Sequence, residues 1–434
     1  MRLLIKNGRV IDPQSGIDNV LDILVEEGRV RGMAPGIAAE DALIIPASGK
    51  LVTPGLIDLH VHFRQPGKQE YKETIRTGSR AAARGGFTTV VCMPNTVPPI
   101  DSGRRVKRVL ELARADSLVN VYTMAAISRG LRGRELVNVR EVVEAGAVGL
   151  TDDGFPVVDI NLMSRAAREA RKYNLPLCPH CEESRLRGRR EALTRARLAS
   201  EARYIERDLH LMRESGCRFH FLHVSLARSV KLIAAAKEKG LPVTAEATPH
   251  HLTLTREEAR QIGPDAKVNP PLRTGRDVAA LREALSQGVI DVIASDHAPH
   301  APYEKAGPNP PSGVIGLETT LGVVLTELVW PGVLSLRSAI EKLTINPARV
   351  LGLERGRLQI GLPADITIID PEREWVVDPE EFESKGRNCP FAGWRLKGKA
   401  VMTIVEGRVV MAEGRIVEEE APQMLRQLRL PLDK

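Results

Sequence analysis

Aromatic side chains are scarce in this sequence, and their scarcity argues against a nucleic-acid partner. They make up 3% of the 434 residues, whereas the formal net charge is +7. Proteins that bind single-stranded nucleic acids combine a basic groove with stacking aromatic rings. The basic residues here are mostly mixed with Asp and Glu along the chain. We therefore expect solvated helix surfaces that favour small anions, and no nucleic-acid binding.

Cysteines are also few, and no long apolar run is present. The five cysteines are scattered, so we expect reduced thiols rather than disulfides. Cys178 and Cys181 form a CxxC pair, but the second pair that a zinc knuckle needs is missing. No segment approaches the roughly 18 uninterrupted apolar residues of a membrane span. The first residues, MRLLIKNGRVIDPQSG, lack the apolar core of a secretory signal, so we expect a cytoplasmic protein without membrane contact.

The central part of the sequence alternates short apolar runs with amphipathic stretches. Such alternation predicts an α/β fold, and eight candidate strands with helices between them predict a (β/α)8 TIM-type barrel. The candidate strands are residues 56–62, 87–94, 119–127, 147–153, 175–181, 219–225, 242–251 and 289–300. A doubly wound open sheet also alternates, but it usually carries a glycine-rich phosphate-binding turn after its first strand. No such turn is visible here.

The two ends of the sequence have a different, β-rich character. Residues 1–52 and 354–434 contain strand-like runs separated by turns, such as LLIKNGRVID and AVMTIVEGRVV. Related phrases, KNGRVID near the start and VEGRVVMAEG near the end, suggest that both termini build one domain. The chain is also long for a single hydrophobic core. We therefore predict a small β-sandwich domain from residues 1–52 and 354–434, which brackets the barrel at residues 53–353.

Histidines concentrate where candidate strands end. All ten lie between His60 and His300. A single histidine beside an apolar run is usually structural, but chemistry-bearing residues recur here at the ends of five strands, which favours a functional site. In a (β/α)8 barrel those ends converge on one mouth, where active sites are built. The residues concerned are His60, His62, Asp152, Asp153, His180, His223, Asp296, His297 and His300.

The spacing of His60 and His62 predicts a metal site. Side chains two positions apart on a strand point the same way, so both imidazoles can face the mouth. Imidazole and carboxylate are ligands of zinc and similar divalent metals, and an open coordination position leaves room for water. Four histidines and two carboxylates would suffice for two metal ions, which make hydroxide available near neutral pH.

The order of these residues resembles the amidohydrolase superfamily, with His-x-His on the first strand, a histidine on the fifth and sixth strands, and an aspartate on the eighth. Local phrases make the chain similar to the bacterial class I dihydroorotases, the cyclic amidohydrolases of pyrimidine biosynthesis. The resemblance covers essentially the whole chain. The phrases are HVHFRQPG (60–67), MPNT (93–96), TDDG (151–154), HCEE (180–183), HVS (223–225), ATPHHL (247–252), VNPPLR (268–273) and SDHAPH (295–300).

The resemblance implies a role for each candidate metal ligand. Four histidines would bind zinc, with two ions favoured over one: His60, His62, His180 and His223. The ligand from strand 4 is usually a carbamylated lysine in cyclic amidohydrolases, but GAVGLTDDG contains no lysine. The class I pattern has an aspartate there, and we favour Asp153 over Asp152, which would support the following turn. Asp296 would be both a metal ligand and the catalytic proton shuttle.

The resemblance also implies a set of substrate contacts. Dihydroorotate carries a carboxylate, which the Arg64 guanidinium would bind bidentately with Asn95 and His300 beside it. Asn269 would hydrogen-bond the ring, and backbone groups at Ser312-Gly313 would touch it, although the family usually has Phe-Gly there. Residues 301–316, rich in Pro and Gly, would form a mobile loop over the mouth. The full substrate-binding set is His62, Arg64, Asn95, Asn269, His300, Ser312 and Gly313.

The implied activity is the reversible cyclisation of N-carbamoyl-L-aspartate to (S)-dihydroorotate, with Asp296 moving the proton for a metal-activated hydroxide. A hydantoinase or allantoinase is the nearest alternative, which the missing strand-4 lysine and Arg64 disfavour. An inactive scaffold subunit is another, disfavoured because every ligand is retained. We expect a homo-oligomer, and the resemblance allows association with aspartate transcarbamoylase. The remaining histidines are interpreted as structural: His210, His220, His250, His251 and His297.

Overall fold

Strands dominate both ends of the chain, and short strands alternate with helices between them. The computed structural model describes residues 2–182 and 192–417, with the backbone alone for residues 192–199. The last part of the predicted terminal domain, residues 418–434, lies outside the described residues. The strands are β1 (Arg2–Asp12), β2 (Ile17–Glu26), β3 (Arg29–Ala34), β4 (Leu43–Pro46), β5 (Leu51–Pro54), β6 (Leu56–Val61), β7 (Phe87–Cys92), β8 (Asn120–Thr123), β9 (Phe219–Phe221), β10 (Val243–Ala247), β11 (Val292–Ile293), β12 (Ile366–Val376), β13 (Arg395–Val405), β14 (Arg408–Ala412) and β15 (Arg415–Ile416).

One sheet joins strands from both ends of the chain. Its hydrogen-bonded order is β15-β14-β13-β12-β5-β1-β2-β3, and β4 also pairs with β1. The two ends meet where β5 runs antiparallel to β12, with Val52 opposite Ile368. Buried side chains from both halves form one hydrophobic cluster, which includes Leu3, Ile23, Val52, Ile366 and Ile404. The prediction of a mostly β domain is confirmed, and strands from both ends of the chain contribute to its sheet.

The turn between β1 and β2 shows how local sequence sets the register of this sheet. The Asp12 carboxylate accepts hydrogen bonds from the Gln14 backbone N–H (3.0 Å) and the Ser15 hydroxyl (2.9 Å). Gly16 follows with a φ of +76°, a conformation that glycine adopts without steric cost. The chain therefore reverses at once, and Asp12 lies opposite Ile17 in the antiparallel pair.

The central strands pair in parallel. β6, β7 and β8 form one three-stranded sheet, and β9, β10 and β11 form another. Single parallel bridges at Leu150 and Leu177 connect the segment after β8 with β9, and a further bridge joins His297 to Val61. Parallel pairing therefore runs from β6 through all these segments and returns to β6.

Helices separate most of these parallel segments, so the predicted α/β character is confirmed. Among the described helices, none combines the length and apolar character needed to cross a membrane. They are α1 (Ile75–Arg84), α2 (Gly103–Asp116), α3 (Val139–Glu144), α4 (Ile160–Lys172), α5 (Ala192–Ser215), α6 (Ala227–Glu238), α7 (Pro249–Thr253), α8 (Arg256–Ile262), α9 (Gly275–Ser286), α10 (Pro302–Lys305), α11 (Thr320–Val324), α12 (Leu336–Leu343) and α13 (Ile345–Leu351).

Helix α9 illustrates how these helices begin and what they bury. Thr274 caps its first turn, and Asp277 bonds back to the Thr274 backbone, so two otherwise unpaired N–H groups are satisfied. Val278, Leu281 and Leu285 share one face and are buried. Burial of each such side chain contributes roughly 1.5–3 kcal/mol, and this face holds the helix against its neighbours α6 and α7.

Several predicted strands are shorter than expected. The prediction of a strand over 242–251 is wrong at its end, because β10 stops at Ala247 and α7 begins. Thr248 caps that helix and Pro249 occupies its first turn, where its missing N–H costs nothing. His250 and His251 therefore lie on a helix. Predicted strands 147–153 and 175–181 are reduced to the bridges at Leu150 and Leu177.

Candidate active site

Two histidines at the end of β6 face a common centre. His60 is completely buried, and His62 follows the last residue of the strand. The His62 backbone N–H donates to the His297 carbonyl (2.9 Å), which extends the parallel pairing beyond β6. The two ring centroids are 5.4 Å apart. The strand thus delivers both imidazoles to one place.

Asp153 lies among the histidines, whereas Asp152 does not. One carboxylate oxygen of Asp153 is 3.3 Å from His223 Nε2 and 3.4 Å from His180 Nδ1. Asp152 instead accepts backbone N–H groups of Ile127 (2.7 Å) and Ser128 (3.0 Å). Although burial alone would raise the pKa of Asp153, the surrounding histidines hold it well below its ordinary value. The geometry thus supports Asp153 as the ligand, with Asp152 holding the preceding loop.

His180 and His223 come from separate segments and meet beside Asp153. His180 follows the bridge at Leu177, and His223 follows β9. His180 Nδ1 and His223 Nε2 are 2.9 Å apart, and the rings meet edge to face. Both nitrogens also lie near the Asp153 carboxylate, so the three side chains converge on one small volume.

Asp296 completes the cluster. It follows β11, and its Oδ1 atom lies 3.0 Å from His62 Nε2 and 3.5 Å from His60 Nε2. Two groups of buried side chains have ligand atoms that all lie within 4.8 Å of one another: His60, His62 and Asp296, and His60, Asp153 and His223. The His60 Nε2 atom is buried and has no hydrogen-bond partner among the described residues. This imidazole nitrogen between two carboxylates fits a divalent metal.

The backbone is strained at three of these positions. Arg64, His223 and Asp296 have φ angles of +57°, +33° and +48°, in the left-handed region that side chains with a Cβ rarely adopt. Such conformations cost roughly 1–3 kcal/mol each and cluster at functional sites. The surrounding fold therefore holds these residues in place at some cost in stability.

A cavity of about 330 Å³ opens beside the histidines. All the residues predicted to contact the substrate line it, together with Asp153, His180 and Asp296. His60 and His223 lie behind this wall. Further lining residues that the sequence did not single out are Gln69, Lys72, Gly154, Phe155, Ala298 and Pro311.

Arg64 is a buried cation, and none of the described residues forms an ion pair with it. Its residue is 7% exposed, and its Nε atom has no hydrogen-bond partner in the described part of the chain. Burial lowers the pKa of the guanidinium, and Asp296 and Asp153 act in the opposite direction without pairing with it. A buried charge is costly unless it is paired. The arginine therefore creates a place for an anion in the cavity wall.

Two asparagines have unlike surroundings. The Asn95 amide oxygen is 2.8 Å from His62 Nδ1, and its nitrogen donates to the Asp153 carboxylate (3.2 Å), so Asn95 orients both predicted ligands. The Asn269 nitrogen lies 3.1 Å from His180 Nε2, while its buried oxygen has no partner among the described residues. Asn269 therefore offers a free acceptor to a ligand N–H group.

The segment after His300 is tied to the other side of the cavity by residues that sequence reasoning missed. Lys72 is buried, and its Nζ atom lies 2.9 Å from Glu304 and 3.3 Å from His300 Nδ1. The Tyr71 hydroxyl also donates to Glu304 (2.9 Å). The His300 Nε2 atom is 3.0 Å from the Ser312 carbonyl, which holds the predicted ring-binding backbone near the cavity.

Glu246 is another residue that the sequence analysis did not identify, and it contacts two histidines. This glutamate of β10 is completely buried, with Oε1 2.6 Å from His60 Nδ1 and Oε2 3.1 Å from His220 Nε2. Burial raises its pKa, but His60 and His220 outweigh that effect and bring it to about 2. An acidic residue inside the apolar run PVTAEA was the signal that could have identified it.

The other histidines have ordinary partners. His297 Nε2 lies 3.4 Å from the buried Glu73 carboxylate, and His251 Nε2 is 3.0 Å from the Pro270 carbonyl. Burial lowers the pKa of His251 to about 4 and that of His250 below its ordinary value. Burial lowers the pKa of His297 as well, so these side chains stay neutral, and their interpretation as structural stays a prediction.

Comparisons with known proteins identify the family of the chain. The model of the amidohydrolase family matches residues 51–410. A dihydroorotase from Pelotomaculum thermopropionicum is 48% identical over 425 residues, which cover 95% of this chain and 99% of that protein. A dihydroorotase from Geobacter sp. (strain M21) is 44% identical over 95% of this chain and 100% of that protein.

Solved structures show the same fold. The L-hydantoinase (dihydropyrimidinase) from Arthrobacter aurescens superposes with a TM-score of 0.86 at 30% identity, over 96% of this chain and 97% of the hydantoinase. The dihydropyrimidinase from Brevibacillus agri superposes with a TM-score of 0.85 at 23% identity, over 96% of each chain, which bears on the fold alone. The chain belongs to the amidohydrolase family and, within it, to the dihydroorotases.

Proposed function

We propose that this chain catalyses the reversible cyclisation of N-carbamoyl-L-aspartate to (S)-dihydroorotate and water, as a zinc-dependent class I dihydroorotase of bacterial pyrimidine biosynthesis. The observation that carries the substrate assignment is Arg64, a buried guanidinium in the wall of the cavity that has no counter-ion within the part of the chain that the structure describes. Both the cyclic and the open form of the substrate carry a carboxylate that this arginine can bind in two parallel hydrogen bonds.

The candidate metal ligands fit zinc by their chemistry. Imidazole nitrogens and carboxylate oxygens are the donors that zinc takes in catalytic sites. Two overlapping groups of these donors lie close together, and with His180 beside them they would supply enough ligands for two ions. The six residues that would hold them are His60, His62, Asp153, His180, His223 and Asp296. A divalent metal bound there lowers the pKa of a coordinated water and polarises a carbonyl oxygen.

The cavity wall orients the substrate. Arg64 and His300 hold its carboxylate, with Lys72 behind His300. The free Asn269 oxygen accepts a ring N–H, and the Ser312-Gly313 backbone lies along the ring. With the carboxylate anchored at Arg64, the ring amide is directed toward Asp296 and the histidines. Positioning of this kind supplies a large part of the rate acceleration in many enzymes.

Asp296 moves the proton of the reaction. In hydrolysis the ring C–N bond breaks, the water oxygen joins the carbonyl carbon, and a water proton passes through Asp296 to the leaving nitrogen. In cyclisation these transfers reverse and water leaves. Burial would raise the pKa of Asp296, but the neighbouring histidines, His60 first, lower it below its ordinary value. The carboxylate is therefore ionised and able to accept a proton.

Replacing Asp296 tests this role. Asp296→Asn should reduce kcat about 10²- to 10⁴-fold in both directions, the range for loss of a general acid–base group. The rates are measured together with zinc content on the same preparation. Full activity with full zinc content in Asp296→Asn would show that the proton takes another route.

We also propose the finer architecture. Six strands and the two bridge segments pair in parallel in a closed series, which supports the (β/α)8 barrel at residues 53–353. One sheet and one hydrophobic cluster from both ends support a β-sandwich of residues 1–52 and 354–434, with β5 extending it to Pro54. The cytoplasmic location, the homo-oligomer and the association with aspartate transcarbamoylase stay predictions.

The structural neighbours make a hydantoinase the second candidate, because the protein from Arthrobacter aurescens is 30% identical. The two candidates differ in the charge of the substrate, since Arg64 requires an anion. The test compares interconversion of dihydroorotate and N-carbamoyl-L-aspartate with hydrolysis of hydantoin and allantoin. All rates are measured on one preparation whose metal content is known. Preference for either neutral ring would refute the substrate assignment, and a preparation that binds no metal would refute the metal site.

A further inference from the structure

Glu246 makes a contact that decides how His60 can bind a metal. A carboxylate only accepts hydrogen bonds, so the 2.6 Å contact between Glu246 Oε1 and His60 Nδ1 requires the proton to be on Nδ1. The Nε2 lone pair is then free. That atom is the buried nitrogen without a partner, 3.7 Å from Asp153 and 3.5 Å from Asp296.

We propose that Glu246 is a positioning residue that fixes the His60 ring and its tautomer, and so sets the affinity of the whole metal site. This inference rests on the metal-dependent function proposed above. His60 belongs to both groups of candidate ligands, whereas His62, Asp153, His223 and Asp296 each belong to one. A carboxylate behind a metal-binding histidine also raises the basicity of the ring.

The surroundings of Glu246 keep it in one orientation. Oε1 also accepts the backbone N–H of His223 (3.1 Å), so the same carboxylate braces the segment that carries a second ligand. Oε2 lies 3.1 Å from His220 Nε2, and His220 Nδ1 lies 2.9 Å from the Thr244 hydroxyl. His220, interpreted from the sequence as structural, thus donates to the carboxylate and prevents it from turning away.

The partner of His62 is different, which distinguishes the two histidines of the pair. His62 Nδ1 contacts the neutral amide oxygen of Asn95 at 2.8 Å, not a carboxylate. Asn95 fixes the orientation of the ring without adding negative charge. Glu246 therefore supplies both orientation and charge at Nδ1 of His60, whereas Asn95 supplies orientation alone at Nδ1 of His62.

Glu246→Gln isolates the charge with little change in shape. The glutamine oxygen can still accept from His60 and from the His223 backbone. Its amide group can donate to His220 if that ring moves its proton to Nδ1, where the Thr244 hydroxyl can accept it. The variant should therefore fold. Glu246→Leu also removes the hydrogen-bond acceptor of His60 Nδ1, so the His60 proton is no longer held on that nitrogen.

The experiment measures zinc dissociation constants by competition with a chromophoric chelator, after folding of the metal-free proteins is checked by circular dichroism. We expect Glu246→Gln to bind zinc about 10-fold more weakly and Glu246→Leu about 100-fold, the range for outer contacts of metal ligands. Glu318→Gln is the matched control: another buried glutamate, which accepts two backbone N–H groups and contacts no candidate ligand. Its zinc affinity should equal that of the wild type.

The outcomes separate this inference from the proposed function. If the wild type binds zinc and folded Glu246→Gln binds it equally tightly, Glu246 has no positioning role. A role confined to folding would lower the unfolding temperature of the metal-free variants and leave zinc affinity unchanged, which also refutes the inference. Failure of the wild type itself to bind zinc would refute the metal site of the proposed function.

Discussion

Unsatisfied polar atoms mark the site at the scale of single residues. Most buried polar groups in folded proteins have a hydrogen-bond partner, so exceptions need a reason. Among the buried polar atoms that lack one in the described part of the chain, three belong to the candidate site: His60 Nε2, Arg64 Nε and Asn269 Oδ1. The first is a nitrogen that could bind a metal, the second belongs to a cationic guanidinium, and the third could accept a hydrogen bond from a ring N–H. Their convergence matches a metal-bound cyclic amide that carries a carboxylate.

Arg64 should strengthen substrate binding and lower the stability of the folded protein. In Arg64→Met we expect kcat/KM for dihydroorotate to fall about 10- to 100-fold, because a charged hydrogen bond contributes roughly 1.5–3 kcal/mol. The unfolding temperature should rise, since an apolar chain replaces an unpaired buried charge. Steady-state kinetics and thermal unfolding test the two effects together.

Arg64→Lys is the control for this experiment. It keeps the charge but loses the planar fork that binds a carboxylate bidentately. Its kcat/KM should lie between those of the wild type and Arg64→Met, with unchanged zinc content in all three proteins. An unaltered kcat/KM in Arg64→Met would mean that the carboxylate binds elsewhere.

Variants of the adjacent residues Asp152 and Asp153 can be compared directly to test which of them binds the metal. Asp153→Asn removes a carboxylate that lies among four histidines, so zinc affinity should fall by more than the roughly 100-fold seen for outer contacts. Asp152→Asn should keep zinc affinity but lose about 1–3 kcal/mol of stability, because its contacts are to Ile127 and Ser128. Chelator competition and denaturant unfolding measure these quantities. The reverse pattern would assign the ligand to Asp152.

Sequence reasoning identified residues whose neighbours are set by local periodicity and missed those whose partners are distant. Alternation along one strand predicts that His60 and His62 point the same way. Local sequence does not predict the partners of Lys72 and Glu246, because those partners come from far along the chain. Lys72 and His300 are 228 positions apart, and Glu246 and His60 are 186 apart. From the sequence alone, a charged residue is interpreted as exposed to solvent, and only the fold shows which other residues bury it.

At the scale of elements, the order of strands could be predicted better than their lengths. The segments around Leu150 and Leu177 pair in parallel where strands were expected, but through single bridges. The extent of β10 was predictable in principle, because Thr248-Pro249 is a helix-start pattern that the apolar run concealed. Propensity fixes the type of an element, whereas its end depends on tertiary contacts.

Helix α10 should control access to the cavity through Glu304. In Glu304→Gln the contact with Lys72 loses its charge, and we expect KM for dihydroorotate to rise about five-fold, for a loss of roughly 1 kcal/mol. Backbone amides 301–306 should exchange hydrogen faster, since the helix is held less firmly. Kinetics and hydrogen exchange measured by mass spectrometry test this.

Glu258→Gln is the comparison for that helix. Both glutamates accept a backbone N–H at the start of their own helix, from Ala301 and Thr255 respectively. Glu258 makes no contact with Lys72, so its variant should leave KM unchanged. Equal effects in the two variants would attribute the change to helix capping alone.

At the scale of the whole molecule, one buried carboxyl group links stability to pH. Glu318 accepts the Glu383 (3.1 Å) and Ser384 (3.3 Å) backbone N–H groups, and so holds the segment before β13 against α11. Burial raises its pKa to about 8. The folded state therefore keeps a proton that the unfolded chain releases at lower pH. The resulting stabilisation is complete below the unfolded pKa and is lost as pH rises toward 8.

Glu318→Gln should remove this dependence. The two proteins should unfold at similar temperatures near pH 5, and the variant should be the more stable at pH 9. A tenfold change in proton affinity corresponds to about 1.4 kcal/mol, so the stabilities at pH 9 should differ by a few kcal/mol. Thermal unfolding across this pH range measures the difference. A constant difference between the proteins would mean that Glu318 is ionised throughout.

The sheet built from both ends of the chain has a consequence for synthesis on the ribosome. Thr53 and Thr367, which hydrogen-bond where β5 meets β12, are 314 positions apart. At about 5–20 residues per second, roughly 15–60 s pass between the two strands. Throughout that interval β5 exposes an unpaired edge, the kind of surface on which nascent chains associate with one another. The edge of β5 is therefore protected only after β12, one of the last strands to be synthesised, has paired with it.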